Sequence, residues 1–194
     1  MRGALLSVWL LLPLLGLAYH HGPGQERLQL DDVQAVLDRA RADAAAEEWP
    51  GAAAGFEEAL RLLPAGDRNA ARRVRLELAR ARMQSGGLPD AHDDLTALVD
   101  ELGDDPGADP QLVADARSAL ASAQFYVTWL MRLEGQPRSA WEPVIEASRQ
   151  NYRLLAEETV DPIGRAKHQE DLAAAVRLSR MDLGQLEGLP LPNQ

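Results

Sequence analysis

A chain of 194 residues, 46% hydrophobic and 26% charged, has the balance of one folded domain rather than of a disordered tract. A net charge of −10 excludes nucleic acid as an expected partner, because neutralising phosphates needs a surplus of basic groups. The absence of Cys excludes a disulfide framework and a thiolate metal site, and the dominance of Ala, Leu, Arg and Glu over β-branched and aromatic residues makes the expected fold class all-α.

Arg2 precedes an uncharged, Leu-rich run from Gly3 to Tyr19, the signature of an export segment. At 17 residues it lies between a signal-peptide core of about 7–15 residues and a membrane span of about 17–25. Cleavage after Ala18 would release a secreted or periplasmic protein. Retention would leave a single-pass inner-membrane anchor, with aromatic and histidine residues at the interface and the remainder on the outer side. Residues 1–21 are therefore assigned to a signal peptide or anchor and 22–30 to a linker that includes the turn-forming Gly22-Pro23-Gly24. Nearly all basic residues are Arg, with Lys167 the only Lys, a bias that points to a GC-rich bacterial genome.

Beyond the linker, helical patterns alternate with short Gly, Pro and Asp clusters. The expected helices run from about 31 to 47, 49 to 63, 69 to 84, 89 to 102, 110 to 133, 139 to 159 and 162 to 183. The fifth carries the apolar run from Phe125 to Met131 and is expected to be the most buried. The seventh, with the charged run from Arg165 to Asp171, is expected to form a solvated cap, with His168 on its surface. The repeat region is placed at 31–185 and a tail with Pro190 and Pro192 at 186–194.

Within the second helix Trp49, Ala52, Phe56, Ala59 and Pro64 form a frame in which small residues let two helices approach while one ring fills the gap. This frame resembles the second half of a tetratricopeptide repeat. It recurs at Gly86, Leu88, Ala91, Leu95 and Leu98, with Leu78 and Ala79 at the small-residue contact of the preceding helix, and again at Gly135, Ala140, Val144 and Ala147. The offsets, 39 and then 49 residues, exceed the standard period of about 34. The resemblance implies a right-handed superhelix of antiparallel helix pairs behind an apolar amino-terminal helix.

In that family the first helix of each pair lines the inner surface. Carried onto this sequence, the groove positions are Arg41; Arg73, Arg80 and Met83; and Phe125, Trp129 and Arg132. Guanidinium groups and rings there would suit an acidic or carboxylate-ended segment of another protein. The same spacing of Phe125 and Trp129 also suits a helix core.

No phosphate loop, nucleophile elbow or zinc motif occurs, so no catalytic residue, metal or cofactor is assigned. His92 among Asp90, Asp93 and Asp94 reads as a solvated helix face. Asp104, Asp105 and Asp109 lack EF-hand spacing. The expectation is a non-enzymatic scaffold that binds a protein partner. The rivals are a self-associating envelope subunit and a helical hydrolase with a dispersed acidic site.

Overall fold

In a computed structural model of the chain, which describes residues 23–187, every regular element is an α-helix. They are α1 (Pro23–Ala45), α2 (Trp49–Leu62), α3 (Arg68–Gln84), α4 (Leu88–Gly103), α5 (Pro110–Leu133), α6 (Arg138–Glu158), α7 (Pro162–Arg180) and α8 (Leu183–Glu187). None of them is long and apolar enough to cross a membrane. The expected export segment and apolar amino-terminal helix lie outside the described residues.

Two kinds of turn alternate along the chain. Leaving α1, α3 and α5, the backbone passes through a left-handed residue: Glu47 (φ 62°), Gly86 (φ 85°) and Gly135 (φ 71°). Each time the next N–H reaches back five positions, Glu48 to Asp43 (2.9 Å), Gly87 to Arg82 (2.8 Å) and Gln136 to Met131 (2.9 Å). These bonds satisfy carbonyls that a helix end leaves free. Glycine enters the left-handed region without a Cβ clash, whereas Glu47 does not have that freedom. Entering α3, α5 and α7, an Asp side chain accepts a first-turn N–H: Asp67 from Ala70 (3.0 Å), Asp109 from Gln111 (3.0 Å) and Asp161 from Gly164 (2.7 Å). Pro110 and Pro162 follow two of these caps at a position that needs no donor.

Short turns make successive helices antiparallel neighbours, and the cross-helix contacts display it. Between α3 and α4, Arg72 meets Glu101 while Arg82 meets Asp94; between α5 and α6, Arg117 meets Glu158 while Gln124 meets Asn151. The first helices of successive hairpins run parallel instead. Arg41 reaches Glu77, Arg73 reaches Asp109 and Arg80 reaches Asp115, at separations of 36, 36 and 35 residues. The described chain is thus three stacked hairpins, α1–α2, α3–α4 and α5–α6, followed by α7 and the short α8.

Three clusters of buried side chains fill the stack. One is shared by α1, α2 and α3, the next by α3, α4 and α5, and the last by α5, α6, α7 and α8. Because α3 and α5 each contribute to two clusters, no hairpin completes its core alone. Ala52, Phe56 and Ala59 are at most 2% exposed, and Leu78, Ala79, Ala91 and Leu95 are buried as well. Trp49 is half-buried at the start of α2, and Pro64 is exposed just past its end. Close approach in the first hairpin also depends on Gly55, where a Cβ would stand 2.7 Å from that of Ala40.

Four expectations need correction. The proposed linker is helical from Pro23, since Pro and Gly are tolerated in a first turn and Gln25 to Leu30 are good helix formers. The seventh helix stops at Arg180, because Asp182 and Gln185 form a reciprocal capping box that starts α8 (2.8 and 3.1 Å). Leu186 of α8 is fully buried, so the folded body extends past 185. Finally, the third echo of the frame is displaced by one residue. Trp141, Ile145 and Ser148 are buried while Ala140, Val144 and Ala147 are half-buried. One residue, Glu48 or Gly87, separates the left-handed position from α2 or α4; two, Gln136 and Pro137, separate it from α6.

Candidate functional site

The inner faces of α5 are made largely of small or polar residues, among them Ala116, Ala121, Ala123, Gln124 and Thr128. Small side chains let α4 and α6 pack closely, which displaces the bulky run to the helix margin. Of Phe125 to Met131 only Thr128 is buried, and Leu130 is 39% exposed.

Ser118, Ser122 and Tyr126 follow one another at four-residue spacing and form a single column on α5. Facing α3, this column and Arg80, Met83 and Gln84 border a recess of ≈ 230 Å³. Facing α7, Ser122 and Tyr126 join Phe125, Tyr152, Lys167 and Asp171 around a second recess of ≈ 300 Å³. Ser122 and Tyr126 border both recesses, and the two together are called the trough beside α3, α5 and α7.

The trough is polar and close to neutral. Tyr152 Oη and Ser122 Oγ are 3.0 Å apart, and Lys167 is paired with Asp171 at 2.9 Å. Burial pushes the Tyr152 phenol up to about 12, against the Ser122 bond, which pulls the other way, and with a smaller push from Asp171. Burial, then Asp171, also raises Tyr126. Both phenols are therefore protonated at neutral pH and able to donate.

The arginines expected in a groove are mostly engaged. Arg41 makes a two-pronged contact with Glu77 (2.8 and 2.7 Å), and Arg73 pairs with Asp109 at 3.0 Å. Arg80 is the most loosely held, 3.5 Å from the Asp115 carbonyl and 3.9 Å from its carboxylate. Arg80 and Met83 come together in the first recess, and Phe125 borders the second, its ring edge-on to Tyr126 at 5.5 Å. Trp129 packs half-buried in the third core cluster.

Arg132 lies elsewhere. It is buried, donates to the carbonyls of Leu178 and Met181 at the end of α7, and stacks over Trp141 at 4.6 Å. Burial pushes its pKa down, yet as an arginine it stays charged and caps α7 from within the core. Its donors point away from the trough and into the fold.

The acidic loop before α5 is likewise absorbed. Asp105 accepts Arg72 and the Gly107 N–H, which hold its pKa below the ordinary carboxylate value, and Asp109 is lowered by the Gln111 N–H and then by Arg73. His92 sits 3.2 Å from Asp93, while Asp94 serves Arg82. Among the described residues no three His, Asp or Glu side chains converge as metal ligands would. His168 departs from the surface position expected of it: it is half-buried, and its Nδ1 is enclosed without a partner. Burial, then Lys167, pushes its pKa down.

Sequence reasoning missed Ser118, Ser122, Tyr126, Tyr152, Lys167 and Asp171. The column at four-residue spacing on α5 and the Lys167-to-Asp171 step on α7 are visible signals, but only tertiary packing makes them neighbours. Comparison with protein-family models, curated proteins and solved structures finds no match to this chain.

Proposed function

We propose that this chain is a non-enzymatic scaffold of tetratricopeptide type that holds an extended segment of a partner protein in the trough across α3, α5 and α7. The observation that carries this reading is that two recesses border the same residues of α5, Ser122 and Tyr126. Support for the family resemblance comes from the left-handed exits, the Asp caps and the parallel first helices. Ring faces, neutral hydroxyls and one loosely held guanidinium suit a segment with apolar or aromatic side chains and exposed carbonyls. An acidic segment is a poorer fit than the sequence suggested, because Arg41 and Arg73 already hold carboxylates.

The rival reading, a self-associating envelope subunit, is disfavoured by charge at both ends of the hairpin array. Asp31, Asp32, Asp38 and Arg39 are exposed on α1, and Arg165, Lys167, Glu170 and Arg177 on α7. Gly3 to Tyr19 is read as placing the scaffold outside the bacterial inner membrane, either tethered or released near Ala18.

The decisive experiment captures partners with the full chain and with Arg80→Ala/Tyr126→Ala. A partner lost with this double variant but retained by Arg61→Ala, on α2, supports the trough. Equal capture by all three folded proteins refutes it. Amino-terminal sequencing of the exported protein distinguishes the tether from a start at Tyr19.

A further inference from the structure

We propose that the recess between α2, α3 and α4 is a second binding site, which takes a small aliphatic monocarboxylate between Arg61 and Arg75 over an apolar floor.

This recess has a volume of ≈ 430 Å³, within the range of small-ligand pockets and larger than either recess of the trough. It also lies on the other side of α3. Arg75, Leu78 and Arg82 line it, and at about 100° per residue they sit roughly half a turn around the helix from Arg80, Met83 and Gln84 of the trough. From α2 come Glu57, Leu60 and Arg61, and from α4 comes Asp94. The trough and this recess share no residue.

Charge gives the class of ligand. Three guanidinium groups against two carboxylates leave the recess one positive charge over, in a chain whose net charge is −10. Both carboxylates are engaged by the same arginine, since Arg82 donates to Glu57 at 2.7 Å and to Asp94. Arg75 gives one amine to Glu101 at 2.5 Å, and Glu101 also accepts from the buried Arg72 at 2.8 Å. Arg61 is exposed and makes no ion pair among the described residues. The surplus charge is thus carried by Arg61 and Arg75, and a single carboxylate, which accepts paired N–H donors from a guanidinium, matches it. A run of acidic residues does not, because the half-exposed Glu57 and Asp94 line the same recess and would repel further carboxylates.

Position adds the apolar part. α2 and α3 are antiparallel and Glu57 is level with Arg82, so Arg61, one turn further along α2, is about 6 Å nearer to the Arg75 end. Arg75 lies about 10 Å along α3 from Arg82, with Leu78 between them. Leu78 is buried and Leu60 half-buried, which puts an apolar surface beneath two guanidinium groups with donors to spare. A carboxylate held by the arginines with a short branched chain against the leucines uses both. Inorganic phosphate would exceed the surplus charge and leave the leucines uncovered.

The test uses the isotope-labelled full chain in a nonionic detergent at neutral pH, with arginine Nε–H signals read by NMR as isocaproate is added. The expected result is saturable shifts of Arg61 and Arg75, half complete below about 5 mM, as a ligand of this size allows. Acetate, which lacks the apolar body, isocaproamide, which lacks the charge, and inorganic phosphate should each need about tenfold more. Arg61→Gln should weaken isocaproate binding about fivefold or more and leave the unfolding midpoint unchanged, because Arg61 pairs with no other described residue. Equal binding of acetate, the amide or phosphate overturns the proposal. So do shifts of the same size at Arg80, or binding indifferent to Arg61→Gln. An acetylated peptide ending in leucine that binds about tenfold more tightly than isocaproate also overturns it, since the occupant would then be a chain end. Because the trough lies on the other side of α3, Arg61→Ala still serves as the control for partner capture there.

Discussion

The hairpins α3–α4 and α5–α6 solve the same packing problem with different side chains. Across α3–α4 the floor is Leu and Ala, and arginines on α3 span its margins: Arg72 to Glu101 and Asp105, Arg75 to Glu101, and Arg82 to both Glu57 and Asp94. Across α5–α6 the links are mostly uncharged and deeper. Ser148 donates to the Ala121 carbonyl at 2.8 Å, Asn151 to Gln124 at 3.1 Å, and Ser122 meets Tyr152. The first arrangement leaves its carboxylates half-exposed, where solvent screens them, although Arg72 itself is buried; the second places polar groups where they cannot be left unpaired. The charged hairpin should therefore yield to acid and salt, and the uncharged one to loss of single atoms and to alkali.

The largest expected effect tests that depth. Arg132→Met should cost about 2–3 kcal/mol, because it removes two charge-assisted bonds to the end of α7 in a buried setting. Arg82→Met, at the half-exposed margin of α3, should cost less than about 1 kcal/mol. Urea unfolding of the two variants measures both, and equal losses would dissolve the contrast.

Next in size is Tyr152→Phe, expected to cost about 1 kcal/mol by leaving Ser122 without its partner. Its pH signature is more specific. Because the folded phenol titrates at about 12 and the ordinary value is 10.0, the native chain keeps a proton that the unfolded chain releases. Stability from this group is present below about pH 10 and is lost as pH rises from 10 to 12. Chemical denaturation across that range should show a slope in the native protein that Tyr152→Phe reduces.

The acid side should report on the other hairpin. Glu101, lowered by Arg72 and then Arg75, and Asp105, lowered first by Arg72, contribute stability that is lost as pH falls through their depressed pKa values. Amide exchange below pH 4 should open α3–α4 before α5–α6, and the reverse order would contradict the comparison. The smallest effect concerns the first turn. Glu47→Gly should stabilise by a few tenths of a kcal/mol, because it gives that left-handed exit the residue used in the other two. Thermal unfolding resolves it.

Much of this fold is legible in the residues. The starts of α3, α5 and α7 follow from Asp before a helical run, the exits at Gly86 and Gly135 from glycine after one, and the buried faces of α2 and α4 from Ala52, Phe56, Ala59, Ala91, Leu95 and Leu98. Local signals suffice there because caps and amphipathic spacing act within a few residues. The misplacement of the third frame at Ala140 rather than Trp141 shows where they stop sufficing, since the extra turn residue changes which side of α6 faces α5. The candidate site was less legible. Arg80, Met83 and Phe125 do line the trough, whereas Arg132 is in the core and Tyr126 at the centre.

Composition, helix-forming residues and capping signals by themselves determined that the described residues are all-helical and where most helices begin and end. Tertiary structure alone decided that Arg41, Arg73 and Arg132 are occupied and that Ser122, Tyr126, Tyr152 and Lys167 share a trough. The reason is physical. A helix cap is settled by neighbours in sequence, but a guanidinium is free or engaged according to what another helix, some 36 residues away, brings within reach.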